Sequence, residues 1–159
     1  VHHARLCAAL AARYLGQLVV PVFPSVRHRP RLSRPAALER LVSESYTDGC
    51  IGELAAARVA KCAARRALDP EAHFAQTRIA RDERRHAELA YRIVEWALSL
   101  RDRGVQSRLC AELERSLLPA PAHEVASAYG RASARERNDS LHWAHARARA
   151  RVGAMIAAA

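Results

Sequence analysis

Residues 69–98 read "DPEAHFAQTRIARDERRHAELAYRIVEWAL". The opening is a helix start. Asp69 offers a capping carboxylate, Pro70 suits the first helical position, and Glu71 sits where the helix dipole favours an anion. Ile79, Ala87, Ala90, Ile93 or Val94, and Ala97 then recur at the three-four spacing of a buried helical face. The spacing predicts one long helix from residue 70 to about 101. Two polar residues, Glu83 and His86, fall on that stripe, while Arg81, Arg84, Arg85 and Glu88 lie toward other faces. At ~1.5 Å and ~100° per residue, Glu83 and His86 are one turn apart and about 60° round. Both can converge on one point inside a bundle.

The segment before it repeats the anomaly. Pro35 opens a helix expected to run to about residue 68, and the short turn before Asp69 makes the two helices antiparallel neighbours. On this helix Glu53 shares a face with Tyr46, Gly49, Cys50, Ala56, Ala57 and Ala60. Glu44 and Asp48 point elsewhere and suit solvent, and Glu39 is almost four turns away, too far to share a site. Tyr46 reads as core packing. Gly49 and Gly52 each cost a helix up to ~1 kcal/mol relative to Ala; close helix approach, or room beside Glu53, would explain them. A buried ionised carboxylate needs a cation, a proton or a set of donors. A divalent metal meets that need, and Glu with His is a ligand set of iron, manganese and zinc.

The rest of the chain is also helical in pattern. Residues 1–15 are helical from the first position and end at Gly16. A connection over 16–34 carries Pro21, Pro24 and Pro30, too much proline for a helix. A helix over about 105–118 follows Gly104 and stops at Pro119 and Pro121, and Ser133 with Glu136 forms a capping box for a last helix. No strand pattern competes. The fold class is all-α, with residues 1–101 as a helical bundle and 102–159 as a C-terminal helical extension packing on it.

Composition bounds the function. Apolar residues make up 50% of the 159, but aromatics only 5%, which favours close-packed helices over a sheet. The net charge of +10 comes from 26 basic residues, all arginine except Lys61, spread along every segment without a dense block. A nucleic-acid partner is therefore disfavoured. Cys7, Cys50, Cys62 and Cys110 form no zinc spacing, and their apolar contexts predict reduced, buried thiols in a reducing, cytoplasmic setting. No apolar run reaches the ~20 residues of a membrane span. The first residue is Val1 rather than Met, so upstream targeting sequence is left open, as is a homo-oligomer.

ExxH occurs once, at Glu83 and His86, where chance alone gives about half a match for this Glu and His content. An internal echo is more specific. "HARLC" at residues 3–7 aligns with "HAELA" at 86–90, so His3 matches His86, and the partner of Glu83 would fall one position before Val1. Residues 48–98, "DGCIGELAAARVAKCAARRALDPEAHFAQTRIARDERRHAELAYRIVEWAL", resemble the second half of bacterial ferritin-like domain proteins of the di-iron carboxylate superfamily, and "VHHARLCAALAARYLGQ" resembles the end of the first half.

The family pattern is Glu, ExxH, Glu and ExxH on four successive helices. The resemblance implies a ferritin-like antiparallel four-helix bundle, here lacking its first helix and the start of the second. It makes Glu53 the third-helix carboxylate, Glu83 and His86 the fourth-helix pair with Glu83 bridging, and His3 the remaining second-helix ligand. It further implies iron, with manganese as the alternative, and an oxidase, peroxidase or storage role; a storage shell is the least favoured, since the C-terminal extension gives no sign of cage assembly. The set is incomplete: the helix-one Glu and the second bridging Glu have no counterpart. The competing view is a non-enzymatic helical interaction module that has lost the metal. His142 and His145 form an HxxH without matching carboxylates and read as surface residues; His2, His28, His73 and His123 carry no distinguishing context.

Overall fold

The computed structural model describes residues 2–25, 32–116 and 132–159. They form five helices. Helix α1 is His2–Leu15. A continuous second rod comprises α2 (Arg34–Glu44), a π-helical segment (Ser45–Glu53) and α3 (Leu54–Arg66). Then come α4 (Pro70–Ser99), α5 (Arg103–Glu114) and α6 (Ala134–Ala158). The chain is all-α, as its periodicity predicts. None of these helices is long and apolar enough to cross a membrane.

Local signals set most of the boundaries. The Asp69 carboxylate accepts from the Glu71 N–H at 2.8 Å, with Pro70 next in the chain. Ser133 and Glu136 close both halves of the expected capping box. Gly16 leaves α1 with φ +65°, a conformation glycine adopts without a Cβ penalty. Residues 17–25, with Pro21 and Pro24, are not helical. Pro30 and His28, and Pro119, Pro121 and His123, lie outside the described residues.

Four boundaries differ from the sequence reading, one of them the end of α5, which falls at Glu114 rather than near 118. The second rod ends at Arg66, because Ala67 already turns to an extended backbone ahead of the Asp69 cap. Helix α4 stops at Ser99, two residues before Arg101 takes a left-handed φ of 54°. Helix α5 starts before Gly104: the Asp102 carboxylate accepts from the N–H groups of Gly104 and Val105, which puts Gly104 in the first turn.

The π-helical segment was not legible in the sequence. Its backbone bonds reach one residue further than in an α-helix, so the rod widens locally and each residue turns less round the axis. Within it Gly49 faces Ala90 of α4 so closely that a Cβ at 49 would overlap the Ala90 Cβ. Close approach, one of the two explanations offered for this glycine, is therefore what the packing requires.

Pairings along the rods fix their directions. Gly49 lies opposite Ala90, Glu53 opposite Glu83 and His86, and the Ala64 carbonyl beside His73 Nδ1 at 2.9 Å. Ascending numbers meet descending ones, so the second rod and α4 are antiparallel. Helix α6 runs antiparallel to α3 in the same way, with Arg66 paired to Glu136 and Arg58 over the Trp143 ring.

The core is small-residue packing between these rods. Val42, Tyr46, Cys50, Tyr91, Val94, Val105, Leu109, Ala144 and Val152 are all buried in one cluster. Helix α1 stands apart: Ala8 is its one buried residue, and it lies against α4. On α4 the predicted stripe holds for Ala87, Ala90, Val94 and Ala97, while Ile79 and Ile93 are half-buried and His86 is exposed. The cysteine expectation needs correction. All four are free, but Cys50 is the buried one; Cys62 is half-buried and Cys7 and Cys110 face solvent. An apolar neighbourhood along the chain does not say which side of a helix a residue occupies.

Candidate metal centre

Four side chains from three elements meet where the π-helical segment, α4 and the first turn of α1 come together. Glu53 is the last residue of the π-helical segment, Glu83 and His86 stand one turn apart on α4, and His3 reaches across from α1. One ligand atom each from Glu53, Glu83 and His86 lies within 4.8 Å of the others. The His86 Nδ1 is 2.9 Å from Glu83 Oε2 and 3.6 Å from Glu53 Oε2.

His3 is placed differently from the other three. Its Nδ1 lies 3.0 Å from the other Glu83 oxygen, Oε1, and its Nε2 lies 3.4 Å from Asp82 Oδ2. Glu83 thus stands between two imidazoles, one oxygen toward each. The two rings are 6.0 Å apart between centroids. Asp82 had no role in the sequence reading. The signal for it was its place next to Glu83, about 100° round α4, but which neighbour that face meets depends on where α1 lies.

The site lies at the border of the helix packing, not in the bundle interior as the stripe argument predicted. Glu83 is 14% exposed, His3 25%, Glu53 35% and His86 53%. Helical spacing put Glu83 and His86 on one side of α4. The 60° between them takes Glu83 under α1 and leaves His86 toward solvent. Burial is therefore partial, and water reaches the imidazole of His86.

Charge is arranged to favour a cation. The chain carries 25 arginines, yet among the described residues neither Glu53 nor Glu83 is paired with Arg or Lys; their ionic partners are histidines alone. Burial, then the hydrogen bond and negative charge of Glu83, push the Glu53 carboxyl up to about 7. Burial works the same way on Glu83, but hydrogen bonds from Glu53 and His86 and the positive field of His3 outweigh it and hold that carboxyl below its usual range. The hydrogen bond to Glu83 raises His86, helped by the charges of both carboxylates against its own burial. A metal ion would compete with the proton that this environment favours on Glu53. Two carboxylates and an imidazole nitrogen suit a divalent transition metal, so the donor set fits such an ion.

The remaining candidates fall elsewhere. Tyr46 is buried in the core and its hydroxyl has no hydrogen-bond partner among the described residues. Glu44 is exposed beside Arg40, and Asp48 faces solvent. His142 is exposed and His145 half-buried on α6. His73 ties the start of α4 to the end of α3. His2 is exposed next to His3. Compared with known proteins, the chain matches no family model, no curated protein and no solved structure.

Proposed function

We propose that Glu53, Glu83 and His86 bind a divalent transition metal, iron first and manganese as the alternative, in a ferritin-like helical bundle. The observation that carries this is the convergence of three ligand atoms from two facing rods within 4.8 Å, where among the described residues no arginine pairs with Glu53 or Glu83. The echo between "HARLC" and "HAELA" supports a second position: His3 faces the Glu83 oxygen that His86 does not. Glu83 is then the bridging carboxylate, and Asp82 orients the His3 ring through its Nε2. In this reading residues 1–101 supply the site and 102–159 pack against the bundle.

A bound iron would supply one-electron redox chemistry and an open position for an oxygen-derived ligand. The protein's share is to hold and move protons and charge. Glu53 gives up its proton as the cation arrives, Glu83 balances charge with both oxygens, and His86 presents a neutral ring nitrogen. The half-exposed His86 leaves a side of the site accessible to a small molecule. That combination suits an oxidoreductase-like role better than a purely structural metal, whose ligands would close the site.

The test is elemental analysis and anaerobic titration with Fe(II) and Mn(II). The chain should bind at least one ion, and Glu53→Ala and Glu83→Ala should each abolish tight binding. Glu95→Ala, exposed on the same helix, should bind as the parent does. A chain that takes up no metal, or variants that bind equally well, would instead support a helical interaction module without a metal.

A further inference from the structure

A second site lies on the other flank of α3 and α4, away from the carboxylates. Helix α6 packs along α3 but meets α4 through one end, where Arg151 bonds Glu88 at 3.0 Å and covers the Tyr91 ring at 3.9 Å. Beyond that tie the helices leave a trough of about 1350 Å³ between α3, α4 and α6. Its apolar lining includes Leu54, Ala57, Tyr91 and Trp143, with Ala146 and Ala150 nearer solvent.

The rim is strongly basic. Arg58, Lys61 and Arg65 of α3, Arg81 and Arg84 of α4, and Arg147 of α6 all line it. Among the described residues Glu88 is its one carboxylate; Arg151 bonds it, and the charge of Arg84 also acts on it. None of the other six cations forms an ion pair with a carboxylate among the described residues. Like charges crowded round one concavity repel, so the arrangement favours an anion that brings several negative charges together.

The guanidinium fork matches phosphate oxygens two at a time, and five of the six unpaired cations are arginine. The trough also holds one indole, Trp143, with Arg58 at 4.9 Å and Arg147 at 5.2 Å from its centroid. An indole with guanidinium groups beside it offers a surface on which a nucleobase can lie. From Arg58 to Arg65 is about 10 Å along the axis, the scale of a small ligand rather than a duplex.

We propose that this trough binds a nucleoside polyphosphate, with the phosphates on the arginines and the base against Trp143. The full chain, stripped of metal with chelator, is titrated calorimetrically with ATP, with inorganic tripolyphosphate and with a poly-glutamate peptide, at low and at physiological salt. ATP should bind most tightly, more weakly at higher salt, and should quench Trp143 in a Trp96→Phe background. Arg84→Glu and Arg147→Glu should each weaken ATP at least tenfold. Arg103→Glu, an equal charge change at an exposed position of α5, should not, and Glu53→Ala should leave ATP affinity unchanged while removing metal binding. Several results would overturn the proposal: no ATP binding at low salt, equal weakening by Arg103→Glu, equal affinity for tripolyphosphate, or tighter binding of poly-glutamate.

Discussion

Replacing Gly49 by Ala tests the contact that sets the spacing between the second rod and α4. In an open helical position Gly→Ala stabilises by about 0.8–1 kcal/mol through backbone propensity. Gly153 on α6 has nothing within 4 Å of an added Cβ, so Gly153→Ala should show that gain alone. At Gly49 the new methyl overlaps the Ala90 Cβ, and neither atom belongs to a flexible side chain that could swing away. Overpacking of this kind costs about 1–3 kcal/mol, enough to reverse the propensity gain. A net loss of about 1 kcal/mol lowers Tm by about 2–4 °C in a chain of this size. Thermal unfolding followed by circular dichroism should therefore move down for Gly49→Ala and up for Gly153→Ala. In an Ala90→Gly background, Gly49→Ala should lose its penalty, because the overlapping methyl is gone. Glu53 stands four residues beyond Gly49, so parting the rods also draws it from Glu83, and Fe(II) affinity should fall by about tenfold. An increase in Tm for both glycine variants, or no rescue by Ala90→Gly, would refute the account of the spacing.

Other residues give separate checks. Glu112 is 2% exposed and accepts from Ser43 at 2.6 Å, from Arg115 at 2.8 Å and from Arg108 at 2.9 Å. Burial acts to raise its carboxyl, but those donors win and hold it below the usual range. Its stabilising contribution is thus complete above the ordinary carboxylate range and is lost as pH falls through the lowered value. Glu112→Gln should destabilise the protein at pH 7 and flatten its acid-unfolding curve, and an unchanged curve would contradict this. Tyr46→Phe removes a buried hydroxyl that has no hydrogen-bond partner among the described residues, so it should leave stability unchanged or raise it by about 1 kcal/mol in a denaturant titration. Burial pushes the Cys50 thiol up to about 12, so thiol reagents at pH 8 should modify Cys7 and Cys110 quickly and Cys50 upon unfolding alone.

The helices themselves were legible because their causes are local. Asp69 with Pro70, Ser133 with Glu136, and Gly16 act on backbone groups within a few residues, and apolar spacing marks the inward face of α4. The antiparallel pairing followed from the short turn at 67–69. Glu53, Glu83 and His86 stood out because a charged group on a small-residue stripe demands a partner wherever the stripe is covered.

Residue order could not show how far each face is covered, since that depends on neighbours remote in the chain. Helical phase alone treats Glu83 and His86 as equals. The position of α1 covers the first and exposes the second, and it turns His3 toward Glu83 and Asp82. The π-helical segment likewise escaped an α-helical period, and within it Gly49 meets Ala90, forty-one residues away. The same holds for the arginines. Along the chain they are scattered, and the basic trough exists because α3, α4 and α6 bring those at 58, 65, 81, 84 and 147 around one hollow.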